Sequence, residues 1–492
     1  MARIVVIGAG LGAMATAARL AVAGHRVTVY ERTATYGGAV GRFAREGFAF
    51  DTGPGLLHLP AVYRDLFVKT GKEPLEECVA LSQVDPASRH VFADGTRVDL
   101  PNASRAGTVA ALDAALGAGA GARWGDFLVR AREAWDRTRR PLLEEPQPAD
   151  PAPLAREPYP ALKAGLLRRP TTTLAQVGAR ELGDPRLAAL LDAYAWSYGF
   201  DPATAPAAAA VLPYMEQTFG SWYVGGGLRA LADAVHERCR KRRVEFVFDT
   251  PVEDVLEKDG RAVGVRLAGG ETVEADHVVS GAPVPALYHE HVVEWGDGDD
   301  WPHYQTTWTS RVTVCLALRG PREPAAVHRT VVHAAGERPT VTVLRPDDPA
   351  LRPDAEHESV TVTATVRTSP ERDGQDAHDG QDGHDGQDWE AFADRMVEAA
   401  AEAVPGLRER LLWRHVRTPE DVRRDTGSAE VPGPALAGGR GRLLPAANRS
   451  PLPGLWFAGG WSHPGGGLAH AGMSGALVAG LIVEGADFRG SQ

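Results

Sequence analysis

Residues Arg3 to Arg32 read RIVVIGAGLGAMATAARLAVAGHRVTVYER. Ile4 to Ile7 is a β-branched run, Gly8, Gly10 and Gly12 follow at once, and an Ala-rich segment extends to Ala23. A second apolar run, Val27 to Tyr30, ends at Glu31. The order is strand, tight turn, helix, strand. Gly8 permits the turn, Gly10 lets the backbone approach a diphosphate, and Ala13 lets the helix lie close to the sheet. The N–H groups opening the helix, around Leu11 and Gly12, are expected to face that diphosphate, where the helix dipole favours negative charge. Glu31, about 20 residues on, is placed to accept both ribose hydroxyls, which selects against a 2′-phosphate. A secretory leader is the competing reading, but glycines and Arg19 interrupt the apolar stretch and it runs into a strand without a pause.

Length and charge narrow the classes. With 492 residues the chain has room for two or three domains. A net charge of −11 and a pI near 5.8 argue against nucleic acid as a partner. Cys78, Cys239 and Cys315 are isolated, so neither a disulfide framework nor a zinc site is signalled, and a reducing cytoplasm is the expected setting. No metal ligand set is expected. The least polar long segment, Leu468 to Val483, is too short and glycine-rich to span a bilayer, so membrane contact is expected to be peripheral at most.

Further along, Phe43 to Phe50 alternates around Glu46-Gly47 as a hairpin, and Asp51-Thr52-Gly53-Pro54-Gly55 reads as a loop. A helix is expected over Pro60 to Thr70, a hairpin around Asp94-Gly95, and two helices within 105–139. The Pro-rich stretch 141–170 reads as a surface crossing or lid; within it Tyr159 to Arg169 reads as a surface helix with a cationic end, or as a segment touching an anionic membrane. Residues 174–224 concentrate aromatics that serve as core or line a channel for a long apolar molecule. Gly225-Gly226-Gly227 opens a helix from Leu228, followed by strands at Val244–Phe248, Val252–Glu257 and Ala262–Leu267 and a run to Val279. Four more runs, Val312–Leu318, Val327–His333, Pro339–Leu344 and Ser359–Val366, suit a second sheet. The repeat from Asp373 to Asp388 reads as a solvated, disordered insertion, with metal capture by His378 and His384 the weaker alternative.

Near the C-terminus, strand Leu455–Ala458 leads into Gly459-Gly460-Trp461-Ser462-His463-Pro464-Gly465-Gly466-Gly467 and a helix from Leu468 to Glu484. A second glycine loop running into a second helix N-terminus implies a large cofactor, with its diphosphate at the first loop and its ring at the second. Two such loops point to FAD. The expected class is α/β, a Rossmann-like FAD-binding domain built from 1–75, 225–290 and 441–492, with a largely helical substrate or lid region at 76–224 and a sheet region at 291–440 forming a discontinuous α+β substrate domain.

The motifs GAGLGAM with Glu31, Gly37-Gly38, GFAFDTGP (47–54), WYVGGGLRAL (222–231), VVSGAP (278–283) and FAGGWSHPGGGL (457–468) together resemble the phytoene desaturase family of bacterial carotenoid desaturases. These belong to the larger amine-oxidase-like and GDI-like flavoproteins. The resemblance implies hydride transfer from an allylic carbon of phytoene or a related isoprenoid to flavin N5, with loss of a vicinal proton. The cofactor-binding set it implies is Gly8, Gly10, Leu11, Gly12, Glu31, Arg32, Gly38, Arg42, Val252, Gly459, Gly460, Gly467 and Leu468, and the proton-accepting candidates are His463 and His470. Asp51 is a further candidate base, or a cap for backbone N–H groups. Two departures stand out. Ala39 follows Gly38 where the family has arginine, leaving Arg42 as the first arginine, and Ala469-His470 stands where the family has proline. Other readings are a flavin oxidase or isomerase of another apolar metabolite, and a non-enzymatic prenyl-lipid carrier. The number of subunits is not encoded in these features.

Overall fold

The computed structural model describes residues 1–164, 167–169, 171–284, 307, 309–368 and 388–490. Its first layer is a five-stranded, all-parallel sheet in the order Glu245–Val247, Arg26–Tyr30, Arg3–Ile7, His277–Ser280, Leu455–Phe457. Segments far apart in the chain therefore build one sheet. Arg3–Ile7 lies at its centre and is apolar on both faces, as a parallel strand covered on both sides requires. Ile4 and Val6 pack under the helices Leu11–Val22 and Leu228–Lys241, while Val5 and Ile7 face Val255, Val265 and Leu267 of the antiparallel meander over 252–274. The period-2 alternation of the strand thus joins two cores.

Helix Leu11–Val22 packs against the C-terminal helix Leu468–Val483 through absent side chains. A Cβ on Gly12 would lie 2.9 Å from the Ala471 carbonyl oxygen, and one on Gly475 would lie 2.8 Å from the Ala15 Cβ. These distances leave no room for a methyl group, so the glycines set the separation of the two helices.

The second sheet has seven strands, in the order Leu411–Arg417, Thr309–Arg319, His357–Arg367, Val341–Leu344, Arg329–Val332, Ser88–Val91, Arg97–Leu100. The Asp94-Gly95 hairpin joins this sheet through a parallel pairing with Arg329–Val332, although its segment was expected to be largely helical. One face of the sheet presents Val312, Val314, Val341, Val343, Val360 and Val362 to helix Trp389–Ala400. A helical layer, Arg105–Leu116, Ala120–Arg139, Pro185–Ser197 and Val211–Phe219, has its own core around Trp124, Phe127, Leu187 and Tyr194.

One expectation is corrected. Among the described residues of Tyr159 to Arg169 there is no helix: Leu162–Ala164 and Leu167–Arg169 pair as an antiparallel hairpin. Pro160, just ahead of the first strand, lacks the N–H that a helix interior would need. Most of the repeat at 373–388, with His378 and His384, lies outside the described residues. Among the described residues no helix is long and apolar enough to cross a membrane, and no group of three or more His, Cys, Asp or Glu is placed to hold a metal ion.

Candidate active site

A single cleft of about 1480 Å³ runs from the parallel sheet to the seven-stranded sheet. Its first end is walled by backbone. Gly8 sits at φ +84°, and Gly10 caps the helix with no side-chain hydrogen bond, leaving the first N–H groups to the cleft. A Cβ on Gly10 would meet no atom within 4 Å, so its missing side chain leaves open space in front of the helix N-terminus. Glu31, only 8% exposed, lies beside it and accepts from the Ala9 N–H at 2.7 Å and the Thr33 N–H at 2.9 Å. A carboxylate has lone pairs beyond these two. Open space, unsatisfied donors and an anchored acid fit the diphosphate and ribose of a dinucleotide, and Arg32 and Val252 also line this end.

The middle of the cleft is walled by a further glycine turn, Gly37-Gly38. Gly37 and Gly38 take positive φ, and a Cβ on Gly38 would approach the Gly10 Cα to 3.2 Å. Arg229 fastens this turn, donating to the Tyr36 carbonyl at 2.7 Å and to Asp233 at 2.8 Å. Arg42 crosses to the Gly226 carbonyl, so the arginine displaced from its usual family position ties the segment after Gly37-Gly38 to the Gly225-Gly226-Gly227 turn. Asp51 is a cap, for a helix far along the chain: it accepts from the Leu228 N–H at 2.8 Å and the Arg229 N–H at 3.2 Å. Burial pushes its pKa up to about 6 against those hydrogen bonds.

The second glycine loop is held from behind. Asn448 donates to the Phe457 carbonyl at 3.0 Å and the His463 carbonyl at 2.6 Å, and the Ser474 hydroxyl accepts from the Gly459 N–H at 3.0 Å. Gly459, Gly460, Gly467 and Leu468 line the cleft. The two histidines separate here. His470 lines the cleft in the first turn of its helix, and burial, with His463 nearby, brings its pKa down to about 4. His463 does not line the cleft; it is fully buried, with Nε2 donating to the Glu145 carbonyl at 2.8 Å, and burial lowers its pKa to about 4. As a proton acceptor at the cleft His463 is therefore corrected to a loop anchor, because the loop turns its ring inward.

The far end was not visible in the sequence. Glu216, 4% exposed, accepts from Arg329 at 2.9 Å, and His58 Nε2 lies 3.5 Å from its other oxygen. Burial would raise the Glu216 pKa, but the Arg329 guanidinium overrides this and holds the carboxyl below its usual range. Burial lowers that of His58. Tyr198 and Trp196 reach the cleft wall, whereas Tyr194 and Phe200 belong to the helical core, so the aromatic segment divides between both expected uses.

A glycine-walled dinucleotide end continuous with a cleft that reaches the seven-stranded sheet is the layout of a flavoenzyme. The family of flavin containing amine oxidoreductases matches residues 13–310, well over half of the chain, and the protein belongs to that family. It is similar to a 4,4'-diapolycopene oxygenase of a Methylomonas species, 28% identical over 505 aligned residues covering 98% of each chain. It is also similar to a zeta-carotene-forming phytoene desaturase of Myxococcus xanthus, 32% identical over 288 residues covering 58% of this chain and 54% of that one. These relatives bear out the resemblance read from the motifs. An oxidoreductase from Methanosarcina mazei shares the fold, with a TM-score of 0.68 at 16% identity over 97% of this chain and 99% of that one. The chain is a flavin-dependent oxidoreductase.

Proposed function

We propose that the protein uses FAD to oxidise a carotenoid or related isoprenoid intermediate, removing a hydride from an allylic carbon and a proton from its neighbour. The observation that carries this reading is the state of one carboxylate. Glu216, the carboxylate at the far end of the cleft, pairs with Arg329 at 2.9 Å. That anion is spent, which leaves the far end poorly suited to the ammonium group of an amine. The names of the carotenoid-modifying relatives point the same way.

The residues Gly8, Gly10, Leu11, Gly12, Glu31 and Gly38 would hold the ADP half, and Gly459, Gly460, Gly467 and Leu468 would flank the ring. When bound, the flavin supplies a two-electron acceptor. The chain must then exclude water and fix one C–C bond. His470, uncharged at neutral pH, is the imidazole on the cleft wall beside the second glycine loop and would accept the vicinal proton. The test supplies the purified, FAD-loaded protein with phytoene in lipid and a range of electron acceptors. A product with a lengthened polyene chromophore is expected, and its absence with every acceptor overturns the reading. His470→Ala is expected to lower kcat by about 100-fold, the low end of general-base effects; undiminished turnover removes His470 from the mechanism.

A further inference from the structure

The cleft face of the seven-stranded sheet has the wrong chemistry for a hydrocarbon slot. Strand neighbours on its hidden face are valines, but beside Val331 and Leu344 the residues turned to the cleft are Arg311, Arg329, Thr313, Thr342, Thr363 and Thr365. Register places Thr313 opposite Thr363 and Thr363 opposite Thr342, so three threonines form one row across three strands, with Arg311 opposite Thr365 in the next. Valine and threonine satisfy a strand equally and have almost the same shape, so a row of threonines on this face chiefly introduces hydroxyls. Among the described residues, the hydroxyls of Thr313, Thr342 and Thr363 make no hydrogen bond, whereas Thr365 donates to the Trp196 carbonyl at 2.8 Å.

Arg311 differs from its neighbour Arg329. Arg329 is neutralised by Glu216 at 2.9 Å. Arg311 donates to the Ser197 carbonyl at 2.6 Å and has no carboxylate partner among the described residues. Once a cofactor and a chain-like substrate fill the cleft, that guanidinium loses the water that now reaches it, and a buried cation without an anion is strongly disfavoured. A planar guanidinium with spare N–H groups matches a carboxylate in bidentate fashion, and adjacent threonine hydroxyls supply further donors.

Resting on the reading of the protein as an oxidoreductase of apolar polyenes, we propose that its substrate is a polyene with a terminal carboxylate, which Arg311 and the Thr313–Thr363–Thr342 row hold at the sheet end of the cleft. The hydrocarbon chain then lies toward the second glycine loop.

The test titrates the FAD-loaded protein with retinoate, retinol and phytoene in mixed micelles and reads affinity from the change in the flavin's visible spectrum. Retinoate is expected to bind at least about tenfold more tightly than retinol, because the site's donors are left unpaired by the alcohol. Arg311→Leu is expected to erase that preference while flavin content stays at the wild-type level, and Thr363→Val, a milder change, to reduce it. Equal affinity for retinoate and retinol, a preference that survives Arg311→Leu, or loss of flavin in that variant while Thr363→Val keeps the full preference overturns the proposal. If it fails in one of these ways while phytoene is desaturated, the parent reading stands. If none of the three polyenes perturbs the flavin, both fall.

Discussion

The two ends of the cleft are built from different materials. At the parallel sheet, the wall is backbone: glycines at positive φ, an uncapped helix N-terminus, and one acid, Glu31, bonded to two N–H groups. At the seven-stranded sheet it is side chains from distant segments: Glu216 from the helical layer, Arg329 and Arg311 from two strands, and His58 from an early loop. A backbone wall tolerates little variation because a Cβ such as one on Gly10 would project into the open space in front of the helix N-terminus; a side-chain wall can be rebuilt one residue at a time. The cofactor end is thus fixed by what is missing, and the substrate end by what is added.

The comparison breaks most visibly at Gly10. Its φ of −70° is one any residue adopts and its Cβ would meet no atom within 4 Å, so Gly10→Val is expected to fold normally yet purify without flavin. Circular dichroism and the flavin-to-protein absorbance ratio check this; a yellow Gly10→Val protein would show that the first loop does not hold the diphosphate. At the other end, Glu216→Leu leaves Arg329 buried without its anion and is expected to cost about 3 to 5 kcal/mol, most of it recovered when Arg329→Met is added. Urea unfolding of the single and double variants measures both. An additive loss would mean the pair is not coupled.

A smaller effect follows from His463. Its pKa falls from 6.5 in the unfolded chain to about 4 in the fold, so between those values the unfolded state binds more protons. Its contribution to stability is complete above pH 6.5 and is lost as pH falls toward 4, by about 3 kcal/mol in total. His463→Gln, which keeps a donor for the Glu145 carbonyl, is expected to flatten the acid side of the Tm-against-pH curve relative to wild type. Parallel curves would show that His463 is not buried as a neutral ring. The smallest effect is that of Asp51→Ala, which removes two hydrogen bonds from the N-terminus of Leu228–Lys241 and is expected to cost about 1 kcal/mol with flavin content unchanged.

The same contrast explains what the sequence discloses. The first glycine loop, Glu31 and the strand–helix–strand order are encoded within thirty-odd consecutive residues, and the structure places them as their spacing implies, in strands Arg3–Ile7 and Arg26–Tyr30 around helix Leu11–Val22. Helix and strand ends shift by one or two residues, as with Ala61–Gly71 against an expected Pro60 to Thr70. The Glu216–Arg329–His58 cluster has no local signature, since its members lie 113 and 158 residues apart, counting from Arg329 to Glu216 and from Glu216 to His58. The alternation Arg311-Val312-Thr313-Val314 did hold a signal: a polar face on a strand whose other face is core. Which face met the cleft required the sheet order. His463 and His470 are seven residues apart, one inside the glycine motif and one just after it, and the turn of the loop sends one ring inward and leaves the other on the wall.

The most direct test of a flavin end joined to a polyene-oxidising end is a single turnover without oxygen. FAD-loaded protein is mixed anaerobically with phytoene in lipid, and separately with a primary alkylamine, while the flavin's visible absorbance and the polyene spectrum are followed together. Bleaching of the flavin in step with a lengthened polyene chromophore, and no bleaching by the amine, is the predicted result. Bleaching by the amine with phytoene inert would contradict it.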